Sequence, residues 1–339
     1  MDEIRLGIIG SGFMGRTNAE TITKYLPGTR LIAVAGGSRA SQLAKDYRTE
    51  RADSVEELVG REDIDAVFIS TPHSEHAAHT MAALNAGKHV LLDKPMATSV
   101  EECDEIIEAA RRANRKLMIM FGQRFRKVNK EAYRLIGEGA IGRIQAIHSY
   151  ALNSGGLSAL PAWQSLPENL GTLFGHGIHN IDLVRWLTSD EVVSVGACVQ
   201  RDNGSGNEVS TMALLGLRNG GMAHVWVSWM IPPPGFPQSG FSARIVGDRG
   251  LLELDAYGAL RFGRDNSWRV VAEQAPIDFK GKGMLDPIRL EAYAAQGTEF
   301  IQSIRENRTP SVTGEDGRAA VAVALAAYQA AAEQRTIML

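Results

Sequence analysis

A chain of 339 residues is longer than one hydrophobic core usually supports, so we expect two domains. Its formal net charge is −3 without a long run of one sign, which gives no indication of a nucleic-acid partner or of a membrane surface. No apolar stretch is long enough to span a membrane, the charged N-terminus does not look like a signal peptide, and the two cysteines form no metal-binding pattern. We therefore expect a cytoplasmic, globular protein that holds no metal.

The first 122 residues alternate short apolar runs with helical patterns. One helix start is especially clear, because Ser99 and Glu102 have the spacing of a capping box. Strands that alternate with helices predict a parallel, doubly wound α/β sheet. The predicted strands are Arg5–Gly10, Arg30–Ala35, Ala66–Ser70, Val90–Asp93 and Leu117–Phe121.

Beyond residue 122 the pattern changes. A helix at 127–138 and a strand at 144–152 are followed by a loop rich in Gly, Ser and Pro. After a helix near 177–187, strand patterns follow one another until two closing helices, which predicts a large, mostly antiparallel open sheet. We therefore expect a first domain at residues 1–122 and a second, α+β domain at residues 123–339.

A glycine pattern stands between the first predicted strand and the first helix, with the spacing Gly-x-Gly-x-x-Gly. Its glycines permit a tight turn, close approach of the backbone to a pyrophosphate, and close packing of helix on strand. The N–H groups that open the helix then face the phosphates. The expected binding residues of this turn are Gly10, Gly12, Phe13, Met14 and Gly15.

The end of the second predicted strand indicates which dinucleotide binds. A carboxylate there would accept a hydrogen bond from the ribose 2′-hydroxyl of NAD, but the chain has Gly36-Gly37-Ser38-Arg39, and the next acid is Asp46. A guanidinium and a hydroxyl favour the 2′-phosphate of NADP. We therefore predict NADP, bound by Ser38 and Arg39. The alternative is that Arg39 is a solvated residue of the first helical turn and that the enzyme accepts both NADP and NAD.

Lys94 stands at the end of a predicted strand, which is the edge where open α/β sheets bind ligands. Other short segments also combine polar side chains with the ends of predicted elements. The segments, in chain order, are Thr71-Pro72-His73-Ser74-Glu75-His76, Asp93-Lys94-Pro95, Gln123-Arg124-Phe125 and Gly177-Ile178-His179.

These segments resemble the Thr-Pro-Asn-x-x-His, Glu-Lys-Pro, Asn-x-Arg and Gly-x-His motifs of the glucose-fructose oxidoreductase, inositol dehydrogenase and rhizopine-catabolism (Gfo/Idh/MocA) family. The resemblance implies a Rossmann domain followed by a domain for substrate binding and oligomerisation. It also implies hydride transfer between NAD(P) and a secondary alcohol or ketone of a sugar, cyclitol or related ring. A homodimer or homotetramer is expected from the same resemblance.

The resemblance further implies that Lys94 contacts the nicotinamide side and the reacting hydroxyl, and that His179 is the acid/base or orienting residue. The chemistry agrees, because a carbinol must lose a proton and a histidine with a pKa of ~6.5 can relay it at neutral pH. The remaining expected cofactor contacts are Ser70, Thr71, Pro72, His73, His76, Asp93, Lys94 and Gln123. The expected substrate contacts are Lys94, Arg124, Trp163, Gln164, His176 and His179.

One position departs from the family pattern. Dehydrogenases of this family usually carry an aspartate four residues before the histidine, where this chain has Gly175. Without this aspartate, a pocket of lysine, arginine and histidine is more positive than is usual in the family. Three arrangements stay open: the histidines are neutral, the substrate supplies the negative charge, or Glu168 reaches into the pocket from the preceding loop. We also predict that His176 acts as a second proton-handling group beside His179.

Other functions remain open within this fold. The alternatives are a dehydrogenase of a carboxylated cyclic diol, a glycoside-cleaving enzyme that oxidises transiently and recycles its cofactor, and a dinucleotide-binding sensor. The presence of Lys94 and His179 argues against the sensor. Net reduction of added NADP by a panel of sugars separates a dehydrogenase from the recycling enzyme and the sensor.

Overall fold

The computed structural model describes residues 3–156, 158, 160–169 and 171–339. The strands are β1 (Ile4–Ile9), β2 (Thr29–Ala35), β3 (Glu50–Arg51), β4 (Ala66–Ile69), β5 (His89–Asp93), β6 (Leu117–Met120), β7 (Ile144–Leu152), β8 (Val192–Arg201), β9 (Glu208–Leu217), β10 (Met222–Ser228), β11 (Phe241–Gly247), β12 (Leu251–Asp255), β13 (Ala259–Arg264), β14 (Ser267–Glu273) and β15 (Ile337–Met338). The α-helices are α1 (Phe13–Tyr25), α2 (Ala40–Asp46), α3 (Val55–Gly60), α4 (His76–Asn85), α5 (Val100–Ala113), α6 (Lys127–Gly137), α7 (Ile178–Thr188), α8 (Pro287–Arg305) and α9 (Gly314–Glu333). Within the described ranges, no helix is both long and apolar enough to cross a membrane.

Contacts divide the chain into two compact units. The first comprises the residues up to Gly122 together with Asp278–Arg318, and the second comprises Gln123–Ile277 and Ala319–Leu339. The division after Gly122 lies where the sequence pattern changes. The segment 278–318, which we expected in the second domain, groups with the first unit because α8 packs against α1.

The sheet of the first unit is parallel throughout, with the strand order β3-β2-β1-β4-β5-β6. This is the order of a doubly wound dinucleotide-binding fold, so the predicted fold class is confirmed. The ends of β1, β4 and β5 meet at one edge of the sheet, as they do in any set of adjacent parallel strands. The predicted capping box at the start of α5 is present, because Ser99 Oγ accepts from the N–H of Glu102 while the Glu102 carboxylate accepts from the N–H of Ser99.

The sheet of the second unit has the order β14-β13-β12-β11-β7-β10-β9-β8-β15. Its pairings are antiparallel except for β7 with β10, which is parallel. The predicted large, mostly antiparallel sheet is therefore confirmed. Its inner face packs against α6 and α7, and alternate residues such as Ile147, Ala213, Val225 and Ile245 are buried there.

Candidate active site

The turn after β1 requires glycine at two positions. Gly10 has a φ of +107°, and a Cβ on this residue would overlap the carbonyl oxygen of Ser70. A Cβ on Gly15 would overlap the carbonyl oxygen of Gly10. Helix α1 starts at Phe13 with no side-chain cap, so its first N–H groups suit an external acceptor such as a phosphate.

The segment after β2 brings Arg39 to the same turn. Gly36 and Gly37 both have a φ of +77°, which redirects the chain from β2 towards α2. The N–H of Arg39 donates to Ser11 Oγ at 3.2 Å, and Arg39 Nη2 lies 3.7 Å from the point that a Cβ of Gly12 would occupy. An exposed guanidinium therefore lies beside the glycine turn.

The next acid in the sequence, Asp46, is bound to other side chains at the end of α2. Its carboxylate accepts from Gln42 at 2.6 Å and from Arg16 at 2.7 Å. These hydrogen bonds, that of Gln42 first, lower the pKa of Asp46. By contrast, the side chains of Ser38 and Arg39 are exposed before α2 begins.

The chain after β4 carries a buried hydroxyl. Ser70 Oγ is buried and has no hydrogen-bond partner in the described part of the chain, a costly state that a bound ligand would relieve. Thr71 and Pro72 do not open α4 directly, because a 3-10 turn at His73–Glu75 comes first. Thr71 Oγ1 pairs instead with His79 Nδ1 at 3.1 Å.

His76 ties the ends of β4 and β5 together. Its buried ring has Nδ1 2.6 Å from the carbonyl oxygen of Pro95 and Nε2 2.9 Å from that of Thr71. Burial lowers the pKa of His76, while Asp93 and the two carbonyls oppose this shift. His73 is also buried, and its ring meets that of His76 edge-on at 5.9 Å between centroids. His76 is thus suited to fixing the strand ends rather than to touching a cofactor.

Lys94 follows β5 directly, and its peptide bond to Pro95 is cis. The N–H of Lys94 donates to Asp93 Oδ1 at 2.9 Å. Burial lowers the pKa of Lys94 and raises that of Asp93, and the attraction between the two charges opposes both shifts. Lys94 therefore loses its proton more readily than a surface lysine, which is what a general base needs.

In the second unit, Arg124 is held in a buried ion pair. Its Nε donates to Asp182 Oδ2 at 2.9 Å and its Nη2 donates to Oδ1 at 2.5 Å. Gln123, beside it, is also buried, and its carbonyl and amide oxygens accept from Asn129 Nδ2 at 2.8 and 3.2 Å. Because Asp182 balances the charge of Arg124, the arginine does not add the net positive charge that we expected around the histidines.

His179 lies in the first turn of α7. The next residue, Asn180, is buried and donates to Ser149 Oγ at 2.8 Å and to the carbonyl of Tyr150 at 3.0 Å, which fixes the helix on β7. The His179 ring meets the Phe241 ring edge-on, with 6.1 Å between centroids. Hydrogen bonds to β7 thus set the position of the backbone that carries His179.

His176 lies in a π-helical turn, Leu173–Gly177, that leads into α7. Trp229 Nε1 donates to His176 Nδ1 at 3.3 Å, and the two rings meet edge-on with 4.7 Å between centroids. The rings of His176 and His179 therefore contact different aromatic residues. Single-turn π-helices are frequent at functional sites.

A buried carboxylate, Glu208, anchors this π-helical turn. Its Oε1 accepts from Thr172 Oγ1 at 2.8 Å, from the N–H of Leu173 at 3.0 Å and from Thr211 Oγ1 at 2.6 Å. Its Oε2 accepts from the hydroxyl of Tyr328 at 2.5 Å. Burial, and then Glu208, raise the pKa of Tyr328, so the phenol stays a donor.

The loop before the π-helical turn holds the other expected substrate residues. Trp163 and Gln164 are half-buried in a 3-10 turn, and the carbonyl of Trp163 accepts from Asn169 Nδ2 at 2.9 Å. Glu168 is exposed in the following 3-10 turn, so it is not a buried counter-charge for the histidines.

Sequence reasoning missed Asp182, Glu208 and Trp229. An acid within the apolar helix pattern around Asp182 was a usable signal, because a buried carboxylate needs a partner. Glu208 opens a strand and Trp229 follows one, and neither position carries a local signal. Their roles arise only from contacts between distant parts of the chain.

Comparison with known proteins identifies the family of this chain. Residues 4–121 match the model of the oxidoreductase family with an NAD-binding Rossmann fold (Gfo/Idh/MocA), and residues 129–253 match the C-terminal domain of the same family. Inositol 2-dehydrogenase 2 of Saccharopolyspora erythraea is 28% identical over 98% of this chain and 94% of its own length. 1,5-Anhydro-D-fructose reductase of Ensifer adhaerens is 29% identical over 97% and 96% of the two chains.

A solved structure gives the same fold. Scyllo-inositol dehydrogenase of Lactobacillus casei, with bound NAD(H) and scyllo-inositol, superimposes with a TM-score of 0.83 at 24% identity over 99% of both chains. The chain belongs to the Gfo/Idh/MocA family and is an NAD(P)-dependent oxidoreductase.

Proposed function

We propose that the protein transfers a hydride between NADP(H) and a secondary alcohol or ketone on a sugar, cyclitol or related ring. The observation that carries this proposal is the position of Lys94, whose pKa is lowered, directly after β5. The same parallel sheet carries the glycine turn after β1. The relatives named above act on such rings, which supports the substrate class.

The first unit offers a consistent set of cofactor contacts. Gly12 and the open start of α1 suit the pyrophosphate, the buried hydroxyl of Ser70 suits a polar group of the cofactor, and Ser38 and Arg39 suit a 2′-phosphate. When bound, the nicotinamide supplies the hydride chemistry. NAD remains the alternative cofactor.

Lys94 and His179 divide the proton chemistry in this proposal. In the oxidation direction Lys94 accepts the proton of the substrate hydroxyl, and in reduction its ammonium donates to the carbonyl oxygen. His179 orients the same hydroxyl or relays its proton. Trp163, Gln164 and Arg124 are proposed to contact the remainder of the ring, with Arg124 held in place by Asp182.

Replacing Lys94 by methionine tests the central residue. Lys94→Met keeps the chain length but removes the ammonium, so turnover should fall by at least ~100-fold while cofactor binding persists. Steady-state kinetics and fluorescence titration of NADPH measure the two effects. The exposed Lys45→Met serves as the control, and near-normal turnover of the Lys94 variant would remove the lysine from the mechanism.

A substrate screen separates the competing activities. Purified protein is incubated with NADP or NAD and a panel of sugars, cyclitols and carboxylated cyclic diols, and nicotinamide absorbance is followed. Net reduction with a neutral ring supports the proposal, and net reduction only with a carboxylated diol supports that alternative. Glycoside cleavage without net reduction indicates cofactor recycling, and binding without turnover indicates a sensor.

We also propose that the protein is a homo-oligomer, joined through the outer face of the nine-stranded sheet. The register places exposed apolar side chains on this face, among them Leu214 at 65%, Met222 at 63% and Trp268 at 54%. A second copy of the same sheet would bury them. Exposed apolar surface of this extent marks interaction sites in soluble proteins.

A further inference from the structure

The Trp229–His176 hydrogen bond determines where the histidine carries its proton. An indole N–H can only donate, so His176 Nδ1, at 3.3 Å, must accept with its lone pair. A neutral imidazole with an unprotonated Nδ1 carries its proton on Nε2. A proton on Nδ1 would place two N–H groups against each other and would break this bond.

Both partners of this bond are held by the backbone around them. The N–H of Trp229 donates to the carbonyl of Val209, and the carbonyl of Trp229 accepts from the N–H of Gly156. On the other side, Glu208 holds the start of the π-helical turn, and Gly177 ends it so close to β10 that a Cβ would lie 3.2 Å from Val227 Cγ1. These contacts fix the backbone positions from which the two side chains extend.

We propose that Trp229 is a positioning residue that selects the Nε2–H tautomer of His176, so that His176 meets the substrate as a neutral hydrogen-bond donor and not as a base. This role rests on the proposed function. It replaces the expectation that His176 handles a proton, because neither nitrogen of this tautomer can accept one without loss of the Trp229 bond.

The tautomer also determines which chemical group of the substrate can bind to His176. With this tautomer, the residue that follows Gly175 in the chain carries an N–H donor. The matching substrate group is therefore an oxygen acceptor, such as a carbonyl, carboxylate or ring oxygen. A neutral donor carries no charge, so the segment needs no carboxylate to balance His176.

The tautomer is tested directly by NMR of protein labelled with ¹⁵N-histidine. The sequence has eight histidines, and the His176 signals are assigned by their loss in His176→Gln. We expect Nε2 protonated and Nδ1 unprotonated at neutral pH in the wild type, and a mixture of tautomers in Trp229→Phe. Trp226→Phe is the matched control, because its indole N–H donates to Ser210 at 3.1 Å instead. A wild-type ring protonated on Nδ1, or unchanged by Trp229→Phe, overturns the proposal.

Two substitutions of the histidine test the donor role. In His176→Gln the amide nitrogen of the new side chain would take the place of Nε2, whereas His176→Asn supplies an amide only near the position of Nδ1. Under the proposed function, His176→Gln should keep most of the turnover and His176→Asn should lose it about three- to ten-fold, with the dissociation constant of NADPH unchanged in both.

Equal turnover in these two variants overturns the donor role. The NMR result needs no turnover, so a failed substrate screen leaves the tautomer test intact. A failure of the proposed function and a failure of the tautomer assignment can therefore be distinguished.

Discussion

The guanidinium of Arg39 is the feature that most directly favours one dinucleotide over the other. It lies beside the glycine turn, and the acid that follows it in the chain, Asp46, is already bound by Arg16 and Gln42. A 2′-phosphate at this point would gain a charge-assisted hydrogen bond, whereas the 2′-hydroxyl of NAD would gain little.

Arg39→Ala should therefore weaken the binding of NADPH far more than that of NADH. The lost contact is worth about 1.5–3 kcal/mol, which corresponds to roughly a 10- to 100-fold rise in the dissociation constant for NADPH. Fluorescence titration of both cofactors measures this difference. Arg51→Ala, which removes an exposed arginine from β3, is the control. Equal losses for the two cofactors would contradict the NADP assignment.

His89 makes the stability of the first unit depend on pH. Burial, and then the nearby Arg115 and Lys116, lower the pKa of this ring from 6.5 to about 4, and its Nδ1 accepts from the N–H of Lys116 at 2.8 Å. Because the folded-state pKa is the lower one, the unfolded chain binds more protons between pH 4 and pH 6.5. The contribution of neutral His89 to stability is thus complete above this window and is lost as the pH falls through it.

Replacing His89 by glutamine should remove this dependence. The wild type should lose about 1–2 kcal/mol of its free energy of unfolding between about pH 7 and about pH 5 through this ring, after allowance for solvent screening. Urea unfolding of the wild type and His89→Gln at both pH values measures the difference. If the difference in the free energy of unfolding between the two proteins is the same at both pH values, the titration of His89 does not affect stability in this range.

Single residues were predictable where a local motif fixes their role. The glycines of the first turn and the Ser99 cap follow from spacing alone, and the structure contains both. The pairing of Arg124 with Asp182 was not predictable, because the two residues are 58 positions apart and neither has a local signal of its partner.

At the scale of elements, the π-helical turn depends on Glu208. This carboxylate accepts from two side chains and one backbone N–H near the turn, and from Tyr328 on α9. Removing it would leave several buried donors without an acceptor, and each such donor costs free energy.

Glu208→Ala should destabilise the protein by about 3 kcal/mol and should expose the amide of Leu173 to exchange. Tyr328→Phe is the matched comparison, since it removes only one of the donors and should cost about 1 kcal/mol. Urea unfolding gives the energies, and hydrogen exchange followed by mass spectrometry reports on the segment around Leu173. Unchanged exchange in Glu208→Ala would mean that the carboxylate does not hold the turn.

Long elements with a clear period were predicted closely. Strand β7 has the predicted bounds, and α6 ends one residue before the predicted end. The short strands β3 and β15 have two residues each, too few to show a period, and they exist because a neighbouring strand offers hydrogen bonds. The π-helical geometry before α7 could not be predicted either, because Glu208, which anchors this turn, lies on β9.

At the scale of the whole molecule, the fold class followed from the order of elements, but the grouping of the last segments did not. Helix α8 follows the strands of the second unit in sequence, yet it packs on α1. A Cβ on Gly297 would lie 2.8 Å from Leu26 Cδ1, which shows how closely α8 approaches the end of α1. The helical pattern of α8 indicates an apolar face without indicating which helix covers it.

The outer face of the nine-stranded sheet gives the last prediction. Leu214 lies on β9, the third strand from one edge of the sheet, beside His224 of β10, and most of its side chain is exposed. If a second copy covers the face, Leu214→Glu buries a charge without a partner in the interface and should shift the protein to monomers. Phe279→Glu changes another apolar, exposed residue, in the first unit, and should leave the mass unchanged. Analytical ultracentrifugation gives the mass of each protein, and either a monomeric wild type or an intact Leu214→Glu oligomer would exclude this face as the interface.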